Sequence, residues 1–246
     1  MHKIIFRFLL LSLFAPSIGA TEASLTPIFI SLGSHCNTAH VLRACNLRDA
    51  SYPFDWITSF DGESFLASLK DDFYGFYDDE SFSVFNDKAY LINTQYNFQI
   101  PHEGVFFKES YKNNLIQLKE KYRRRYDRFI QLNNCGKKVF FVREAFRGNS
   151  DEVHLYDMCE LCREISDEFA VRLYKELKSK FPELDFTLII VNHADGPPLK
   201  IDKNIGDQII FIQTNPKVGL DKVIEAYTVF YSELISQVTI DPPNQN

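Results

Sequence analysis

The chain has 246 residues, 45% hydrophobic and 24% charged, which is ordinary for a globular protein and long enough to bury a substantial core. A formal net charge of −6 argues against a general nucleic-acid binder, which carries a basic footprint. The 23 Phe and 12 Tyr point to an aromatic-rich core.

Residues 1–20 read as a signal peptide. His2, Lys3 and Arg7 form a basic start, Phe8 to Ala15 an apolar stretch, and Pro16 to Ala20 supplies small residues for cleavage. The apolar run is shorter than the about 20 residues that span a bilayer. The expected location is therefore periplasmic or secreted, with no transmembrane span after cleavage. Residues 25–240 read as a single α/β domain. All five cysteines fall within it, and an odd number leaves at least one thiol unpaired in a monomer.

Pro27 to Leu32 predicts a buried strand, Gly33-Ser34-His35 a tight turn, and Cys36 to Cys45 the first turns of a helix. A thiol at a helix N-terminus meets unpaired N–H groups that favour the thiolate, so Cys36 is a candidate nucleophile as well as a candidate packing residue. The acidic, aromatic stretch from Asp61 to Glu80 reads as a solvated surface with docking aromatics rather than a cation site. Residues 83 to 107 read as short strands or ordered loop. Leu115, Leu118, Tyr122, Tyr126, Phe129 and Leu132 repeat at helical spacing, with Lys119, Lys121, Arg123, Arg124, Arg125 and Arg128 assigned to the outer face.

Lys138 to Arg143 predicts a second buried strand, and Met158 to Leu177 an amphipathic helix that takes Cys162 on its apolar face. That placement favours packing over zinc for Cys159 and Cys162. Phe186 to Val191 and Gln208 to Ile212 predict two more buried strands, and Leu220 to Val238 a last long helix. Fully apolar strands separated by amphipathic helices predict an α/β fold, a mostly parallel sheet with helices on both faces in three layers. No metal or other cofactor is expected.

The run Ser31-Leu32-Gly33-Ser34-His35-Cys36, followed by Leu47-Arg48 and Ser51-Tyr52-Pro53-Phe54-Asp55-Trp56-Ile57, resembles the start of the DUF1796 family of papain-like cysteine peptidases. Pro101-His102-Glu103, the basic helix from Tyr122 to Phe129, and Val139 to Arg143 agree with it. Where the family pattern runs His-Asp-Phe, this chain has His102-Glu103-Gly104. The resemblance implies a Cys/His hydrolase with His102 as the base. A papain-type fold packs its Cys helix against an antiparallel barrel-like sheet, whereas the pattern of strands here predicts parallel pairing.

A thiol nucleophile needs a base within reach and a group that orients the base. His193, with Asp195 two residues on, and His40, one helical turn from Cys36, are the alternatives to His102. Asp55, between two aromatics, either orients His102 or braces backbone N–H groups. Arg143, Ser34 and Asp195 are the candidate binding residues at strand ends, where ligands of such sheets bind. The expected function is an exported cysteine hydrolase acting on a peptide, acyl or anionic small-molecule substrate. The alternative is an α/β transferase or binding module for an anionic nucleotide or sugar, with a structural Cys36.

Overall fold

The computed structural model describes residues 26–59, 61–85, 90–102, 111–145, 165–215 and 220–240. The signal segment, Cys159 and Cys162, and the first part of the helix expected from Met158 lie outside these residues.

The four apolar runs form strands β1 (Ile28–Ser31), β6 (Val139–Glu144), β7 (Phe186–His193) and β9 (Ile209–Thr214). They pair in parallel in the order β1-β6-β7-β9, with Phe29 opposite Phe140 and Phe140 opposite Thr187. A fifth strand, β8 (Leu199–Ile205), joins antiparallel at the edge, so the sheet is mixed but mostly parallel. Residues 83–107 hold part of a second sheet. β3 (Phe82–Phe85), β4 (Tyr90–Asn93) and β5 (Phe98–Ile100) pair antiparallel, and β2 (Thr58–Ser59) completes the order β2-β5-β4-β3.

Alternation along the parallel strands divides the interior in two. Ile30, Phe141, Leu188 and Ile190 enter one core cluster with apolar residues of α2 (Gly62–Lys70), α3 (Tyr111–Gln131), α4 (Asp167–Lys180) and the small sheet. Phe29, Phe140, Val142, Ile189 and Val191 enter the other, with Val41 and Leu42 of α1 (Asn37–Ala44) and Tyr227, Phe230 and Tyr231 of α5 (Leu220–Ile240).

Local signals set the helix starts. Asp61 accepts from the N–H groups of Glu63 and Ser64 at α2, and Ser166 from that of Phe169 at α4. The long α3 buries Leu115, Leu118, Tyr122, Tyr126 and Phe129, the expected stripe. One member of its basic set departs from the outer face. Arg125 is 6% exposed, and its guanidinium lies over the Tyr122 ring, 4.7 Å from the centroid. Among the described residues no helix is long and apolar enough to cross a membrane.

Candidate active site

The chain leaves β1 through a turn in which both Gly33 (φ +74°) and Ser34 (φ +70°) are left-handed. A Cβ on Gly33 would stand 2.9 Å from the Phe54 carbonyl oxygen, so glycine is required there. Ser34 has no such freedom, is 3% exposed, and buries a hydroxyl that has no partner among the described residues. The turn delivers Cys36 to the N-cap of α1, half-buried, with its carbonyl accepting from His40 N–H at 3.0 Å.

The Cys36 Sγ lies 3.6 Å from His35 Nδ1. The Asn37 N–H also donates to that nitrogen, at 3.3 Å. A backbone N–H can only donate, so in the neutral ring Nδ1 carries the lone pair and faces the thiol as an acceptor. Burial pushes the Cys36 thiol above its ordinary pKa, and the charge of Glu144 adds to the rise, against a lowering backbone hydrogen bond. The depressed pKa expected from the helix N-terminus is therefore not what this site gives, because desolvation of the sulfur outweighs it.

Arg143 works beneath the turn. Its Nη1 donates to the Leu32 carbonyl at 2.7 Å and to Ser59 Oγ at 2.8 Å, and its Nη2 to the Ser59 carbonyl at 3.3 Å. The guanidinium lies over Phe65 at 4.1 Å and is sealed from solvent, and burial pulls its pKa down to about 9. Its hydrogen bonds tie β1 to β2 and fix the backbone before Cys36.

Asp55 is 1% exposed and braces the neighbouring loop. Its Oδ2 accepts from Arg48 Nη2 at 2.6 Å and from the Tyr52 N–H at 2.7 Å. Burial pushes its carboxyl pKa up against the pull of Arg48. This pairing holds Trp56 in place, because the Arg48 guanidinium also lies over the indole at 5.0 Å. Two histidines then meet that indole edge-on, His40 at 5.1 Å and His102 at 5.4 Å between centroids. His102, just after β5, thus stands across the Trp56 indole from His40 of α1.

His193 ties strand ends together. Its Nε2 is 2.9 Å from the Ala145 carbonyl and its Nδ1 3.0 Å from Thr214 Oγ1. Glu144, on the face of β6 opposite Arg143, approaches His193 Nε2 at 3.6 Å and accepts from Thr38 Oγ1 at 2.9 Å. Asp195 is exposed in the loop after β7. No three His, Cys, Asp or Glu side chains among the described residues gather to hold a metal ion.

The family model described as "Putative papain-like cysteine peptidase (DUF1796)" matches residues 28–196, from β1 to the loop after β7. The chain belongs to the DUF1796 family. An uncharacterized protein of Acanthamoeba polyphaga mimivirus is 30% identical over 190 residues, covering 68% of this chain and 79% of the viral one. No solved structure matches. This DUF1796 chain presents its cysteine after the first strand of a mostly parallel sheet.

Three residues here carry no role in the sequence reading: His35, Trp56 and Glu144. The first two stand within the quoted family runs, where only the fold reveals what they touch. Glu144 follows Arg143 on an apolar strand, and strict alternation was the signal that could have placed it on the opposite face.

Proposed function

We propose that this DUF1796 protein is a cysteine hydrolase or acyltransferase with Cys36 as its nucleophile. The observation that carries the reading is the Nδ1 lone pair of His35, 3.6 Å from a half-buried Sγ and oriented by the Asn37 N–H. His35 accepts the thiol proton as sulfur attacks an acyl carbonyl. The C–S bond forms, the carbonyl electrons move to oxygen, and the bond to the leaving amine or alcohol then breaks. Protonated Nδ1 can no longer accept from Asn37, so that N–H becomes available to the oxyanion. His102, the base implied by the family resemblance, stands across Trp56 and is assigned to protonating the leaving group. Water then attacks the thioester as His102 takes its proton, the C–S bond breaks, and His35 returns its proton to sulfur, releasing the acid and the thiol.

The half of the molecule that carries Cys36 and the half that carries Trp56 and His102 belong, in this reading, to one three-layer domain over residues 25–240. Export fits the same reading, with residues 1–20 removed and a mature start near residue 21. N-terminal sequencing of the expressed protein tests export, and a soluble cytoplasmic pool retaining Met1 would refute it.

For the chemistry, the purified protein is mixed with p-nitrophenyl acetate and Cys36 examined by mass spectrometry. The expected result is an acetyl adduct on Cys36, lost in Cys36→Ser and slowed in His35→Ala. Hydrolysis that continues unchanged in Cys36→Ser, with no adduct on Cys36 in the wild type, would sink the proposal.

A further inference from the structure

On α1 beside Cys36 an exposed arginine joins two imidazoles and an indole, in a protein whose net charge is −6. Arg43 Nη2 lies 3.1 Å from His40 Nδ1 at the solvent edge of α1. His40 meets Trp56, and Trp56 meets His102 and carries Arg48. His40 follows Cys36 by one helical turn, so the group is continuous with the thiol. Among the described residues the carboxylate built into this cluster, Asp55, is buried and bonded to Arg48. Glu144 opposes the cluster from beneath Cys36, but it is 7% exposed and bonded to Thr38. Burial is the larger cause of a lowered His40 pKa and the nearby Arg43, His102, Arg48 and His35 lower it further, so His40 meets a ligand as a neutral imidazole and the charge comes from Arg43.

We infer that the Cys36 site takes acyl substrates that carry an anionic oxygen group, a carboxylate or a phosphate, near the carbonyl under attack. The Arg43–His40–Trp56–His102 face receives that group. Trp56 supplies a flat apolar wall between the two imidazoles, and Arg43 supplies a full charge that approaching substrate can reach. This inference rests on Cys36 as the nucleophile, and it names the substrate class for that same site.

Two alkylating reagents of similar size separate the two claims. Iodoacetamide is neutral and iodoacetate carries a carboxylate. The rate ratio of iodoacetate to iodoacetamide at Cys36 is measured by mass spectrometry at pH 7.5 and compared with that of N-acetylcysteine in the same buffer. The ratio is expected to exceed the reference by on the order of threefold per nearby uncompensated cation, and to collapse toward it in 0.5 M NaCl. Arg43→Ala should lower it and Arg43→Lys should retain it. Protection of Cys36 from iodoacetamide by succinate or by inorganic phosphate then tells which anion the face prefers.

A wild-type ratio at or below the reference overturns this inference while leaving the nucleophile in place. So does a raised ratio that neither Arg43→Ala nor His40→Ala changes. Cys36 that reacts with neither reagent removes the nucleophile reading, and this inference falls with it.

Discussion

At the scale of single residues, Ser34 departs from what a merely structural turn would hold, and Cys36 beside it is half-buried. Burial holds the Cys36 thiol protonated, so little thiolate stands ready at neutral pH and the proposed attack needs a base to take the proton. Its alkylation by iodoacetamide should therefore rise with pH along a profile displaced above that of a free thiol. Glu144→Gln removes a negative charge that disfavours the thiolate, so the profile should move toward acid and the rate at pH 7.5 should increase. A profile that stays in place, or moves toward alkali, would show that Glu144 does not act on the sulfur. Ser34 holds a left-handed conformation with a buried hydroxyl unbonded among the described residues, two costs that glycine would avoid. Ser34→Gly is expected to stabilise the protein by about 1 kcal/mol in urea unfolding while slowing acylation of Cys36. A variant more stable and equally active would leave the hydroxyl without a part in the chemistry.

At the scale of elements, the turn between β1 and α1 is the part whose geometry the chemistry needs. Gly33 sits where a Cβ meets the Phe54 carbonyl and where φ is +74°. Gly33→Ala should cost about 2–4 kcal/mol by urea unfolding, from left-handed strain together with the clash, and should slow Cys36 alkylation. An unchanged midpoint would mean that the turn relaxes freely, and that Arg143 does not fix it. This strand–turn–helix was legible in the chain because an apolar run, a glycine and an amphipathic segment each carry a local signal. The four parallel strands were legible for the same reason. β8 was not, because Lys200, Ile201, Asp202, Lys203 and Asn204 are all exposed and a bulge between Ile201 and Lys203 interrupts its pairing. The small sheet was legible only as short strands or loop, since strands of two to four residues draw their stability from partners far along the chain. The site divides the same way. Cys36 announces itself by position, whereas the approach of His102 to Trp56 and the sealing of Arg143 and Arg125 exist only in the packed molecule.

At the scale of the whole molecule, the candidate site needs both sheets. Cys36 hangs from the end of β1, while Trp56 precedes β2 and His102 follows β5, so the site is assembled only when the two sheets share an interior. They do so through one aromatic cluster. The Phe54 ring stands 4.8 Å from Phe65, 5.6 Å from Phe73, 6.4 Å from Phe98 and 5.8 Å from Phe129, and Phe129 in turn is 6.0 Å from Phe141 of β6. Phe54→Ala removes the ring that links these groups and should cost about 3–5 kcal/mol. The cost should fall on the whole molecule, because the ring is 0% exposed and belongs to neither sheet alone. Trp56, the single tryptophan of the chain, reports on the small-sheet side by fluorescence, and far-UV circular dichroism reports mainly on the helices. In urea the two transitions are expected to coincide in the wild type and to shift together in Phe54→Ala. A fluorescence transition that precedes the loss of helix would mean that the small sheet unfolds as its own unit. The single-domain proposal would then fall, and the site would be one that opening of the small sheet can take apart.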